Sequence, residues 1–331
     1  MTNMPTIGSP PVGDLPAHGI GIDIGGTSTK AAVIDGSGAV LASATVSTRR
    51  GPDGVVATAL RVAREVAEQA GLGLDEIEAI GVGIPGTVDP HLGTVRFAVN
   101  VGLGADTVDL GSQLAIGLGV PVHVENDVRA AALGADWYLG TRGEGVADLA
   151  YLSIGTGIAA GYVTRGQLHR GARLVAGEIG HVPIDPSGPV CACGQIGCIE
   201  AISSGSAIER AWPTPDGTSA RALHRAAADG DAAAEVLWSK VIGGLSSAVL
   251  MLALTLDPEV IVIGGGVATV GQSLPDAIAA KLTFDARHSE FLGSLEVGAR
   301  LRVVDPAVLL GPIGAVRAAY ASLAADVVAS P

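Results

Sequence analysis

The sequence predicts an α/β protein of two similar lobes with a cleft between them. Three observations lead there. Apolar strands alternate with amphipathic helices along the chain. Glycine turns close strands at Gly25-Gly26-Thr27, Gly155-Thr156-Gly157 and Gly264-Gly265-Gly266. The order strand, glycine turn, strand, turn occurs twice. Laid without gaps, Ile24–Gly36 and Ile154–Gly166 agree at Ile24/Ile154, Gly25/Gly155, Val33/Val163 and Gly36/Gly166. Matches among such common residues can arise by chance, so the shared order of elements is the stronger sign of a duplicated unit.

The elements follow in order. Gly19–Ile24 reads as a buried strand entering the first glycine turn. Strands come next at Thr29–Ile34 and Val40–Ser47, joined by the turn Asp35-Gly36-Ser37-Gly38. Asp53–Ala70 is an amphipathic helix with Val55, Val56, Ala59, Leu60, Ala63 and Val66 on one side. Ile77–Ile84 and Val120–Glu125 read as strands and Asp127–Tyr138 as a helix. The polar segment Gly140–Gly145 links the halves. Ala150–Ile154 and Ile158–Thr164 flank the second glycine turn, closing at Gly166. After a cysteine-bearing loop come helices at Gly205–Ala211, Ala220–Asp229 and Ala232–Leu256, then the strand Glu259–Ile263 and the third glycine turn. A helix over Pro312–Ala325 follows. Met1–Ala17 reads as a loose tail, neither signal nor transit peptide.

Composition narrows the function. A chain of 331 residues suggests two domains, each able to bury a core. Apolar residues make up 48%, charged residues 16% and aromatics 3%, which excludes a disordered chain. The formal charge of −13 repels nucleic acid and anionic membrane surfaces, so neither is expected as a partner. A nucleotide is still compatible, because main-chain amides and Mg²⁺ neutralise phosphates locally. The longest apolar run, Ala248–Leu256, is too short to span a bilayer. Clustered cysteines without a secretory signal fit the reducing cytoplasm, where they bind metal.

Five motifs carry chemistry. In Asp23-Ile24-Gly25-Gly26-Thr27 the glycines let the main chain approach a phosphate, Asp23 can orient Mg²⁺ through water, and Thr27 can donate to a phosphate oxygen. The plainer reading is a hairpin turn. Gly155-Thr156-Gly157 repeats the device, and two such hairpins can clamp a triphosphate. Gly264-Gly265-Gly266 admits a flat adenine, or is simply a tight turn into a helix. In Glu125-Asn126-Asp127, Asp127 can serve as general base toward an attacking hydroxyl while Asn126 holds a neighbouring hydroxyl. The competing reading is a helix N-cap.

The fifth motif holds every cysteine of the chain. His181, Cys191, Cys193 and Cys198 form a Cys₃His set suited to structural Zn²⁺. One His181 nitrogen can bind the metal while the other donates to a ligand hydroxyl. Glu178 and Glu200 bracket the loop as hydroxyl acceptors, so Asn126, Asp127, Glu178, His181 and Glu200 together suit a polyol. Either glutamate alone could be a solvated surface charge.

These residues resemble the ROK family (repressors, open reading frames and kinases), over about Gly19 to Tyr320. The resemblance rests on Asp23–Thr27, Glu125–Asp127, Leu152–Gly157, Gly177–His181, the cysteine loop with Glu200, and Asp257–Gly266. It implies the two-lobed actin-like ATPase fold, with ribonuclease H-like lobes and a zinc-binding loop. The implied activity is phosphorylation of a hexose at its 6-hydroxyl by Mg·ATP, with Asp127 as base, glucose first, and N-acyl-hexosamines or fructose as alternatives. Sugar would bind Asn126, Asp127, Glu178, His181 and Glu200. Nucleotide would bind Asp23, Gly25, Gly26, Thr27, Gly155, Thr156, Gly157 and Gly264–Gly266. Structural zinc would bind His181, Cys191, Cys193 and Cys198. A tail over 1–18, a small lobe over 19–140 with 311–328, a larger lobe over 141–310, and a homodimer are expected with it.

Two departures bear on the sugar pocket. Family glucokinases often carry lysine directly after Gly-Gly-Thr, where this chain has Ser28 and then Lys30. Many also place a tryptophan in the segment comparable to Phe97–Gly104, which is expected here to offer the sugar no aromatic and to be more flexible. The family's repressors need an N-terminal helix-turn-helix, for which the residues before the first strand are too few. A sugar-binding regulator without catalysis is disfavoured by Asp127 and both glycine hairpins. Polyphosphate-using relatives tend to lack the cysteine loop.

Overall fold

The computed structural model describes residues 17–215 and 217–329. The tail expected over 1–18 lies outside them apart from Ala17 and His18. In chain order the strands and helices begin with β1 His18–Ile24, β2 Ser28–Asp35, β3 Val40–Ser47, α1 Pro52–Gln69 and β4 Ala79–Ile84. Next come β5 Thr87–Asp89, β6 Thr94–Arg96, β7 Val108–Asp109, α2 Leu110–Leu118, β8 Val122–Asn126 and α3 Asp127–Thr141. Then follow β9 Asp148–Ile154, β10 Ile158–Thr164, β11 Gln167–Leu168, α4 Ile199–Ser203, α5 Gly205–Ala211, α6 Ser219–Ala228 and α7 Ala232–Leu256. The chain finishes with β12 Val260–Gly264, α8 Ser273–Ala286, α9 Glu290–Ser294, β13 Leu301–Val303 and α10 Leu310–Ala329.

Two compact units result. The first comprises residues up to Ala147, Gly161–Ala176, and Leu309 onward; the second comprises Asp148–Ala160 and Gly177–Val308. One sheet has the order β3-β2-β1-β4-β8 and another β11-β10-β9-β12-β13. In the first, β1 is antiparallel to β2 and parallel to β4, which is parallel to β8. In the other, β12 runs parallel to both β9 and β13. The repeated strand order is the duplicated α/β unit that the two glycine hairpins foretell.

Strand alternation explains the first unit's core. Ile20, Ile22 and Ile24 of β1 and Ile80, Val82 and Ile84 of β4 join one buried cluster with Val55, Val62 and Val66 of α1. Gly19, Gly21 and Gly81, at alternate positions, are glycine because α10 lies directly on them. A Cβ on Gly21 would stand 1.9 Å from the Pro312 carbonyl oxygen, and one on Gly81 1.8 Å from that of Ala315. The same economy brings α10 onto α3, where a Cβ on Gly314 would stand 1.7 Å from the Ala130 oxygen. No side chain larger than hydrogen fits these positions without backbone movement.

The meander β5-β6-β7 and helix α2 are additions that the hydrophobic periodicity does not announce. In the second unit, α7 carries Val241, Leu245, Ala248, Val249 and Leu252 into the core. Its mean hydropathy of 1.7 and its length would suffice for a membrane crossing, but half of that stretch is buried inside the protein. The apolar window is thus longer than the Ala248–Leu256 run alone, and core packing accounts for it.

Candidate active site and metal centre

Strand register gathers the first unit's candidates at one sheet edge. Asp23 of β1 pairs with Gly83 of β4, and Gly83 with Glu125 of β8. The carboxyl ends of these parallel strands therefore present Asp23, the first glycine hairpin and Asn126-Asp127 together, where open α/β sheets bind ligands. The hairpin closes through Gly25 N–H to the Ser28 oxygen at 2.9 Å. Thr48 steadies it, donating its hydroxyl to the Gly25 oxygen at 2.7 Å. Thr27 is exposed at its tip.

Asp23 continues the glycine face of β1 and so lies under the start of α10. A Cβ on Gly311 would stand 2.8 Å from its Oδ2. Burial raises its carboxyl from the ordinary 3.8 to about 6, partly opposed by the charge of Lys30. A positive ion beside it would reverse that penalty. This suits the Mg²⁺ of a nucleotide complex, with Asp23 as the residue to hold it.

At the β8–α3 corner Asn126 is the N-cap of α3. Its Oδ1 caps α3 by accepting from the N–H groups of Val128 at 3.1 Å and Arg129 at 3.2 Å. Its Nδ2 donates to the Gly86 oxygen at 3.3 Å, which leaves the second amide hydrogen for a ligand. Asp127 opens α3, half-buried, and its Oδ1 accepts from Val128 N–H at 2.9 Å. Gly86, at φ 96°, packs its Cα on the main chain of Arg96 and Ala98. Between them Phe97 is half exposed with φ 56°. The expectation of a segment without an aromatic is therefore wrong, since Phe97 presents a ring there.

The second unit arranges its candidates likewise. Gly155 N–H donates to the Gly157 oxygen at 2.9 Å, closing the second hairpin with Thr156 exposed. Glu200 Oε2 accepts Ile158 N–H at 2.9 Å, so one of the predicted sugar ligands also buttresses this hairpin. Ser206 Oγ donates to the Thr156 oxygen at 2.7 Å from the other side. In the third glycine turn, Gly264 makes room for the Tyr151 hydroxyl and Gly265 has φ 85° against Ile154. Gly266 faces open space, so packing explains the other two of these glycines.

The ligand atoms of His181, Cys191, Cys193 and Cys198 lie within 4.8 Å of one another. His181 turns Nδ1 toward Cys191 Sγ at 3.7 Å, and Cys193 Sγ lies 3.7 Å from Cys198 Sγ. A tetrahedral Zn²⁺ with Zn–S of ~2.3 Å has S–S edges of ~3.8 Å and slightly shorter S–N edges. The donor set fits. Hydrogen bonds from Gln195 hold the Cys193 thiol well below its ordinary value, whereas burial pushes the Cys198 thiol up. The other nitrogen of His181, Nε2, faces Glu178 Oε2 at 3.9 Å. Glu178 is exposed.

The ROK family model matches residues 19–291. The chain belongs to the ROK family. A glucokinase of Thermotoga maritima is 32% identical over 308 residues, covering 88% of this chain and 94% of the relative. An N-acetylmannosamine kinase of Vibrio vulnificus is 33% identical over 258 residues, covering 75% of this chain and 82% of the relative. The crystal structure of a ROK glucokinase from Streptomyces griseus, in complex with glucose and AMPPNP, superposes with a TM-score of 0.76. It is 28% identical and covers 92% of this chain and all of its own.

Proposed function

We propose that this ROK protein is a sugar kinase that transfers the γ-phosphoryl group of ATP to the 6-hydroxyl of a hexose, glucose before others. The carrying observation is the β8–α3 corner, where a half-buried carboxylate, Asp127, opens a helix capped by Asn126. In a family whose glucokinase members align along most of this chain, that corner supplies the one proton acceptor the reaction needs. Asp127 accepts the proton as the sugar oxygen attacks phosphorus; the rest of catalysis is positioning and charge stabilisation. The free Nδ2 hydrogen of Asn126, with Glu178, His181 and Glu200, would hold further hydroxyls.

Gly25, Gly26 and Thr27, with Gly155, Thr156 and Gly157, are assigned to the phosphates, and Gly264–Gly266 to the base. Asp23 would hold Mg²⁺, which supplies charge neutralisation at the phosphates. Zn²⁺ at His181, Cys191, Cys193 and Cys198 would fix loop shape and supply no catalytic step. Nδ1 would be its imidazole ligand, leaving Nε2 for substrate. The cysteines are free thiols, which supports a cytoplasmic setting. A homodimer belongs to the same reading, supported by exposed Phe284, Phe291 and Val236.

An N-acyl-hexosamine kinase is the second reading, favoured by the similarity to N-acetylmannosamine kinase. Turnover of Mg·ATP against glucose, mannose, fructose, N-acetylglucosamine and N-acetylmannosamine decides between them. Highest kcat/KM with glucose supports the first reading, highest with an acylated amino sugar the second, and no turnover with any of them removes both.

A further inference from the structure

Glu125 is the member of the Glu125-Asn126-Asp127 run that has been given no task. It is fully buried, a costly place for a carboxylate unless charges and donors surround it. Here they do. Oε1 lies 3.3 Å from Arg129 Nε and accepts the Asn126 main-chain N–H at 2.9 Å. Oε2 accepts from Arg170 Nε at 2.7 Å. Arg129, also buried, donates through Nη2 to the Leu174 oxygen at 3.4 Å.

Three pieces of the first unit therefore meet on one side chain: the end of β8, the first turns of α3, and the loop after β11. That loop closes on itself through Ala176 N–H to the Arg170 oxygen at 3.3 Å. Leu174 sits within it at φ 60°, a conformation costly for a side chain of its kind. The Arg129 bond to the Leu174 carbonyl helps hold the strained turn.

Buried ion pairs of this sort are poor sources of stability, since well-packed apolar residues often do as well. What they add is geometry. Glu125 is adjacent to Asn126 and hydrogen-bonded to its amide, and each arginine meets a different carboxylate oxygen, so the carboxylate plane is fixed from two directions. We propose that Glu125 is a positioning residue for phosphoryl transfer: held by Arg129 and Arg170, it sets the corner carrying Asn126 and Asp127 and clips the 170–176 loop to it. The reaction named here rests on the sugar-kinase reading, whereas the clip does not.

The full-length protein with Arg170→Ala tests this, because Arg170 is a third exposed and its loss leaves the Arg129 pair to support folding. Glu125→Gln is the companion variant and Arg170→Lys the rescue. Two readouts are taken, amide hydrogen exchange and steady-state kinetics. In Arg170→Ala, exchange at the Asn126 amide and across 170–176 should accelerate together by about tenfold or more. For the hexose turned over by the parent protein, kcat should fall by about tenfold or more while KM for ATP stays within about twofold. Arg170→Lys should recover part of both.

Parent-like exchange at Asn126 in Arg170→Ala overturns the proposal whatever the kinetics. So does a variant whose melting temperature falls while its folded enzyme keeps parental kcat and KM, since that marks a purely structural pair. If the parent protein phosphorylates no hexose, the kinase reading fails by itself, and the exchange measurement alone decides the clip.

Discussion

Glu200 Oε2 accepts the main-chain N–H of Ile158 at 2.9 Å, tying the start of α4 to the exit of the second glycine hairpin. A Cβ on Gly157 would stand 2.4 Å from the same oxygen, so the glycine is what permits the approach. Glu200 props the second glycine hairpin, and under the proposed function it would also accept from substrate hydroxyls. Glu200→Gln keeps an amide oxygen for Ile158 and should raise the hexose KM while leaving the ATP KM within about twofold. Glu200→Ala should raise both, the ATP KM by about fivefold or more. Equal ATP KM values in the two variants would remove the prop.

The Cys₃His loop is one residue from Glu200, since Cys198 immediately precedes α4. Elemental analysis of purified protein should find about one zinc per chain. Cys198→Ser should lose it, lower the melting temperature by several degrees, and raise the hexose KM more than the ATP KM. Full activity in protein free of zinc would contradict the assignment.

Asp23 carries a stability signature that ligand-free protein should reveal. Its folded carboxyl titrates near about 6 against an ordinary 3.8, because burial disfavours the charge. Below 3.8 both states are protonated and nothing is lost. Between 3.8 and about 6 the unfolded chain releases this proton while burial makes the folded carboxyl keep it, so stability falls across that window toward a bound of ~3 kcal/mol and is level above it. Asp23→Asn should therefore gain on the parent in thermal melts as pH rises from 3.8 to about 6, and keep that gain unchanged above it. A constant difference across that range would show that Asp23 titrates normally.

The glycine contacts of α10 give a direct packing test. Gly314→Ala would raise helix propensity by ~1 kcal/mol if the site were open. With the new methyl 1.7 Å from the Ala130 oxygen, overpacking outweighs that gain. The variant should melt at least ~4 °C lower. A higher melting temperature would mean that α3 and α10 are less closely set than described.

Much of this was legible in the sequence, and the reasons are local. Gly19-Ile20-Gly21-Ile22 announces a strand, and its alternation encodes a face that admits a helix, though only the structure names α10 as that helix. The repeated hairpins foretold two similar sheets because glycine turns leave a strong mark at fixed positions. Strands β5, β6 and β13, three residues each, are too short to show a period, and β7 is shorter still. Helix α8 offered Ser273 and a run of apolar residues but went unread beside the third glycine turn.

The site divides in the same way. The Cys₃His set lies within eighteen residues, so spacing alone suggested it. Asn126 could be read as cap or ligand, and the structure shows the cap while leaving a donor hydrogen. Glu125 and Arg129, four residues apart across a strand-to-helix corner, were a signal that went unused. Arg170 lies forty-five residues from Glu125, and no local pattern joins them.

The most direct measurement is the single-turnover rate of phosphoryl transfer from Mg·ATP to glucose by the parent protein and by Asp127→Asn, with glucose binding measured in parallel. The asparagine preserves shape but accepts no proton, so transfer should slow by about 10²-fold or more while the glucose Kd changes by less than about threefold. Transfer at the parental rate in Asp127→Asn would contradict the assignment of Asp127 as the base, and with it the account of this corner as the catalytic centre.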